Sequence, residues 1–283
     1  MPRLGGVHNR LTEKIEALQI ISIIGMGGLG KTTLANKVYK NPIVSHELST
    51  LAWIYVSPTY SKDKLFLSIL KGVTQVTSDM SSMVEDELAE EVRRQLTWKY
   101  LVVLDDVWEK KDWDSIKKAF PNHKNGSRIL LTTRFKLVAV HADQHSLPYE
   151  LDFLTQPRSW GLLQKKVFDG GDCPQEDLKD VGIRIAVQCD GLPLAVVVIA
   201  GMLQNDISKD AWETIAKSVK AFLVWKEEDL MEVLALSYYH LPPHLKACFL
   251  YFGVFLQDCK IHFWILIRLW IAERFVQTSE NVC

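Results

Sequence analysis

Gly25-Met26-Gly27-Gly28-Leu29-Gly30-Lys31-Thr32-Thr33 is the stretch whose residue types and spacing most directly specify a chemistry. It fits G-x-x-x-x-G-K-S/T in full, between a strand-like apolar run, Ile20 to Ile24, and a run with helical spacing. Glycines let successive backbone N–H groups turn inward with no Cβ in the way, which makes a nest for an anion. A helix starting near Lys31 adds the positive end of its dipole. In such a nest Lys31 reaches the terminal phosphates and the Thr32 hydroxyl ligates Mg²⁺. The plain alternative is a glycine-rich strand-to-helix turn that binds nothing; the register of Lys31 and Thr32 argues against it.

The second such stretch is Leu101-Val102-Val103-Leu104-Asp105-Asp106. Four apolar residues deliver a carboxylate to the carboxyl end of a strand, where open α/β sheets bind ligands. Asp105 is placed there to hold Mg²⁺ through its water shell, and Asp106 to orient or deprotonate an attacking water. A solvated Asp-Asp turn is the alternative, weakened by the phosphate loop upstream. Arg134 follows another apolar strand and faces the γ-phosphate position of this topology; it is either a reporter of that phosphate or an ordinary surface charge. Cys189-Asp190-Gly191-Leu192-Pro193-Leu194-Ala195 reads as a helix entry. Gly191 permits a tight approach, and Pro193 sits in the first turn, where its missing N–H costs little.

These side chains need elements to hold them. Strand patterns at 20–24, 51–56, 100–104 and 128–133 alternate with helical patterns at 8–18 (Leu11, Ile15 and Leu18 inward), 31–39, 64–73 and 85–96. The strands are nearly continuous apolar runs. That predicts a parallel sheet with helices on both faces, an α/β P-loop NTPase domain over residues 1–148. The Ser/Thr/Asp/Met-rich stretch from Thr74 to Met83 is expected to be a mobile loop. After Pro148 the strand signals stop. Helical patterns at 159–168, 176–189, 192–203 and 210–219 predict a helical domain over 149–222. Further helical patterns at 230–237, 244–252 and 263–275, broken by Pro242-Pro243, predict a third unit over 223–283.

At 283 residues, 48% hydrophobic and 24% charged, the composition is globular rather than disordered and long enough for two or more domains. A net charge of −1 gives no reason for an obligatory nucleic-acid partner or an anionic membrane surface. The N-terminal stretch has no apolar signal core, and the late apolar run Phe263 to Ala272 is short for a membrane span and contains Arg268. Cys173, Cys189, Cys248, Cys259 and Cys283 form no C-x-x-C pair, so reduced thiols in a cytoplasmic protein are expected, with Cys248 a buried thiol rather than a nucleophile. The histidines show no metal spacing. Trp108, Trp113, Trp160, Trp212, Trp225, Trp264 and Trp270 are expected on helix faces as core anchors rather than as a base-stacking platform.

Taken in order, GMGGLGKTT, LAWIYVS, KYLVVLDDVW, GSRILLTTR, CDGLPLA and CFLYFGVFLQD…LIRLWIAERFV resemble the NB-ARC nucleotide-binding module of plant intracellular immune receptors with leucine-rich repeats. Trp108 and the CFLYF segment resemble the coiled-coil subgroup. The resemblance implies a disease-resistance switch: ADP in a closed resting state, ATP in an open state that self-associates, and slow ATP hydrolysis that resets it. It implies Gly25 to Thr33 as phosphate loop, Thr32 and Asp105 at Mg²⁺, and Lys31, Asp106 and Arg134 as the catalytic set, with Arg134 the sensor. Pro193 would pack against adenine. It further implies a winged-helix third domain, and as partners the coiled coil and repeats of a full receptor and other copies of it. This sequence departs from the pattern in three places. Leu4-Gly5-Gly6-Val7-His8 stands where relatives carry a Gly-Arg-Glu segment, and Phe255-Leu256-Gln257-Asp258 stands for Phe-Pro-Glu-Asp. The sequence also ends after LWIAERFV, ahead of a Met-His-Asp motif, so it is read as a truncated member with an incomplete winged helix. Two competing readings are a steady-turnover P-loop ATPase and a non-signalling scaffold.

Overall fold

The computed structural model describes residues 2–56, 61–173, 175–222, 230–239, 241–256 and 259–276. They fall into two compact units, Met1–Asp152 and Phe153–Cys283. In the first, strands β1 (Gln19–Ile24), β2 (Thr50–Tyr55), β3 (Tyr100–Asp105), β4 (Arg128–Thr133) and β5 (Tyr149–Glu150) form one parallel sheet in the order β2-β3-β4-β1-β5. Between and around them lie α1 (Pro2–Thr12), α2 (Lys31–Tyr39), α3 (Pro42–Glu47), α4 (Lys62–Val73), α5 (Ser78–Ser82), α6 (Glu85–Gln95), α7 (Lys110–Ile116) and α8 (Lys136–Ala142). Ile24 pairs with Thr133 and Tyr55 with Asp105, so four strands end in line at their carboxyl edge.

Every residue of β3 and β4 is buried, which requires cover on both faces. Successive strand side chains point to opposite sides. Tyr100, Val102, Leu104, Ile129 and Leu131 join one core with Phe66 and Ile69 of α4, Leu88 of α6 and Trp113 of α7. The alternate set, which includes Asp105 and Thr132, faces the side where α2 packs on β1, β3 and β4. Period-2 alternation therefore aims the Asp105 carboxylate at the helix of the phosphate loop.

Three expectations are corrected. The first helix covers Pro2–Thr12 rather than 8–18. Its continuation is blocked because the carbonyls of Glu13, Ile15 and Ala17 accept hydrogen bonds from the Arg128 guanidinium, at 2.6, 3.1 and 3.4 Å, instead of turning into a helix ladder. Arg128 also donates to the Ser127 carbonyl at 2.9 Å and is only 1% exposed. The stretch from Thr74 to Met83 contains the short helix α5, started by the Thr77 hydroxyl accepting from the Met80 N–H. Strand structure also continues past Pro148. Tyr149 and Glu150 pair with Ile23 and Ile24 of β1, and Leu151 N–H donates to the Ile24 carbonyl.

The second unit is helical: α9 (Gln156–Val167), α10 (Glu176–Gln188), α11 (Pro193–Leu203), α12 (Lys209–Phe222), α13 (Leu230–Tyr239), α14 (Pro243–Leu250) and α15 (Phe263–Ala272). Helices α9 to α12 pack on one another around the fully buried Trp212. Trp113 and Trp212 are buried helix-face residues, but Trp264 on α15 is 64% exposed and Trp108 lies in the loop between β3 and α7, so neither is the expected core anchor on a helix. Trp225, Gln257, Asp258 and Cys283 lie outside the described residues. Among the described residues no helix is long and apolar enough to cross a membrane.

The thiols Cys173, Cys189, Cys248 and Cys259 are free. Burial pushes the Cys189 thiol up to about 12, whereas Cys259 is exposed. Since only the thiolate reacts, iodoacetamide at about pH 8 is expected to label Cys259 and spare Cys189 and Cys248 in the folded protein, read by mass spectrometry. Fast labelling of Cys189 without denaturant would contradict this packing.

Candidate functional site

The sequence from β1 into α2 builds a turn that side chains would obstruct. Gly25 (φ +154), Gly28 (φ +75) and Gly30 (φ +92) all have positive φ. A Cβ on Gly25 would lie 3.0 Å from Leu29 Cδ1 and 3.4 Å from Leu151 Cβ. Gly30, left-handed, is the N-cap of α2, and its carbonyl accepts the first helical bond from Leu34 N–H at 2.9 Å. Met26, Gly27 and Leu29 complete the loop, with Leu29 buried beneath it. Lys31 is 7% exposed, and its Nζ donates back to the loop carbonyls of Gly25 (2.8 Å) and Met26 (3.1 Å). Burial lowers its pKa below the usual lysine range; Asp106 and Asp105 act against that and Arg134 adds to it.

The strand ends converge on this loop. Asp105 is 2% exposed, and its Oδ1 accepts from the Thr132 hydroxyl at 2.6 Å and the Thr32 hydroxyl at 3.0 Å. Burial pushes its carboxyl up, and those two hydrogen bonds pull it down. The Thr132 hydroxyl in turn accepts from the Asp106 N–H at 2.9 Å. Asp106 stands at φ +59, a left-handed backbone that turns its carboxylate out of the strand line. Arg134 Nη2 is 3.7 Å from Asp106 Oδ2, and its guanidinium carbon lies 4.8 Å from the centroid of the Trp108 ring. Thr33, next on α2, is exposed.

Thus Lys31, Thr32, Asp105, Asp106 and Arg134, read from the sequence, are brought together. Pro193 lies in the second unit, in the first turn of α11. Its turn is built by Gly191 (φ +74), whose added Cβ would lie 2.4 Å from the Leu154 carbonyl oxygen, while Leu154 N–H donates to the Gly191 carbonyl at 2.8 Å. Sequence reasoning missed Thr132 and the place of Trp108. The signal for Thr132 was available: a polar residue interrupting an apolar strand predicted to be buried needs a partner.

The residues fit a nucleotide with Mg²⁺. The loop offers a cradle that a Cβ at Gly25 would fill, and Lys31 supplies a buried cation beside it. The Thr32 hydroxyl and the Asp105 carboxylate stand 3.0 Å apart, the hard oxygen donors that Mg²⁺ prefers. Among the described residues no group of three or more His, Cys, Asp or Glu side chains could hold a metal by itself, so an ion here would draw its other ligands from phosphate and water.

Comparison with known proteins decides the family. The NB-ARC domain model matches residues 3–173. The chain belongs to the NB-ARC family. This NB-ARC chain is 41% identical over 277 residues to the late blight resistance protein R1-A of Solanum demissum, covering 97% of itself and 21% of that protein. The same figures hold for the homolog R1B-14 of that species. It therefore spans about a fifth of the length of these curated relatives. Among solved structures, Cdc6p of Pyrobaculum aerophilum aligns at TM-score 0.56 and 14% identity over 99% of this chain and 86% of that one. A signal-transduction ATPase with numerous domains and a tetratricopeptide-repeat sensor, from Pyrococcus horikoshii, aligns at TM-score 0.55 and 14% identity over 95% of this chain and 36% of that one. At such identities the likeness is one of fold, that of a P-loop NTPase. The NB-ARC domain here is a nucleotide-binding domain of the plant resistance-protein type.

Proposed function

We propose that this NB-ARC domain is the ADP/ATP switch of a cytoplasmic plant immune receptor, resting with ADP, self-associating with ATP, and reset by slow hydrolysis. The observation that carries the reading is the chain of hydrogen bonds from Thr32 through Asp105 and Thr132 to the Asp106 backbone. It ties the phosphate loop to the ends of β3 and β4, so a change at the loop is felt by both strands. Bound nucleotide and Mg²⁺ would supply the scissile phosphoanhydride and a Lewis acid.

The chain's own residues then have separable tasks. The backbone N–H groups from Gly25 to Thr33 and the Lys31 ammonium bind phosphate oxygens. Thr32 and Asp105 hold the cation, and burial of Asp105 keeps bulk water from competing with it. Asp106, turned out of the strand line, orients or deprotonates the attacking water, and Arg134 senses the third phosphate. Pro193 packs on the adenine side, and the helical segments that follow β5 act as the helical and winged-helix domains that move with nucleotide state.

The experiment is to denature purified protein and identify what it releases. Stoichiometric ADP is the expected result. Protein that comes empty and turns ATP over rapidly would replace the switch with a steady-turnover ATPase, and empty, inactive protein would leave a scaffold.

A further inference from the structure

Trp108 carries no charge but stands against one charged group of the site, Arg134. Its ring is half-buried, tilted at 51° against Phe135 with centroids 6.1 Å apart. Its indole nitrogen is buried and makes no hydrogen bond among the described residues. The ring is therefore held by packing, and its exposed duty is to the Arg134 guanidinium, 4.8 Å from its centroid. Arg134 also faces Asp106, but at 3.7 Å, beyond hydrogen-bond reach, although both side chains are open enough to close the gap. An arginine and a carboxylate this near ordinarily form a tight, often bidentate pair. What stands against closure is the aromatic face, which attracts the cation through the ring quadrupole. Stacking of this kind leaves the in-plane N–H groups of a guanidinium free to donate.

We propose that Trp108 is a positioning residue: it holds Arg134 flat and off Asp106, so that the guanidinium is available to a third phosphate and the carboxylate to water. This rests on the switch reading of the same site. It makes the aromatic residue that follows the acidic pair a determinant of triphosphate-over-diphosphate preference. Phenylalanine keeps a face at this position and leucine keeps only the bulk, so the pair of variants separates the quadrupole from packing.

The test compares Trp108→Phe and Trp108→Leu with the unaltered full chain. Affinities for ADP and for a non-hydrolysable ATP analogue are measured by calorimetry with Mg²⁺. Trp108→Leu is expected to weaken the triphosphate about tenfold more than the diphosphate, a factor equivalent to about 1.4 kcal/mol. Trp108→Phe should keep most of the preference. A purely structural role would lower both affinities together, and that result, or equal losses in the two variants, overturns the proposal. A second readout needs no nucleotide. The Arg134 Nε–H resonance, assigned through Arg134→Lys, should carry a ring-current shift that Trp108→Leu removes. If the unaltered chain binds neither nucleotide, the switch reading fails by itself, and this resonance still decides the clamp: a line unmoved in Trp108→Leu refutes it.

Discussion

Lys31→Arg is expected to abolish nucleotide binding, with ADP affinity falling by about 100-fold or more, which corresponds to about 2.7 kcal/mol. The ammonium fits because it is compact. It reaches two carbonyls of its own loop, Gly25 at 2.8 Å and Met26 at 3.1 Å, in a space that leaves it 7% exposed. A planar guanidinium keeps the charge but not the size or donor geometry, and it would splay the loop whose N–H groups form the nest. Stability should fall as well, because a guanidinium cannot shed its charge at a site where burial already disfavours the charged form of Lys31. Binding of a fluorescent ADP analogue, with urea unfolding as the control, measures both. Unchanged ADP affinity would defeat the assignment of the phosphate loop.

The second large effect falls on stability. Arg128→Met should destabilise the first unit by about 2–4 kcal/mol, the loss expected when several charge-assisted hydrogen bonds to carbonyls are removed together. Four carbonyls, from Glu13, Ile15, Ala17 and Ser127, accept from this one guanidinium. Desolvation of Arg128 lowers its pKa against the charges of Glu13 and Glu47, while the four carbonyls accept from its two terminal nitrogens. The removal of a buried cation returns part of the loss, which is why the figure is not larger. Arg128→Lys should recover little, since one ammonium cannot meet four acceptors at separate positions. Urea midpoints for the three proteins give the answer; a midpoint for Arg128→Met equal to that of the unaltered chain would show the carbonyls are satisfied another way.

The features legible in the sequence were those written in one short segment. The strands β1, β3 and β4 announced themselves because a strand covered on both faces reads as a nearly continuous apolar run. The phosphate loop announced itself because only glycine tolerates its backbone. Asp105 and Asp106 were readable as a pair at a strand end. What was hidden depends on distant residues. The first helix was misplaced because Arg128, more than a hundred positions away, takes the carbonyls it would have used. The strand β5 is two residues long and has no apolar run, so only its pairing with β1 reveals it. Thr132 reads as a β-branched strand former until its hydroxyl is seen between Asp105 and the Asp106 N–H. Trp108 reads as a helix-face residue because tryptophan is most often a core residue, whereas the loop after β3 puts it under a cation.

Strand β4 also has a mechanical meaning. It begins at Arg128, which grips residues 13–17, and ends at Thr132 and Thr133, beside the acidic pair, roughly 17 Å away at the pitch of a strand. Hydrogen-bonded neighbours flank it on both sides, and a slip of one residue would turn its whole side-chain pattern over, so it cannot slide. A pull on residues 13–17 therefore meets a stiff rod anchored to a few hydrogen bonds. Those bonds lie beside the covalent path from Ala17 into β1 at Gln19, so tension that frees them is still borne by the β1–β4 ladder, which leaves the acidic end of the rod where it was.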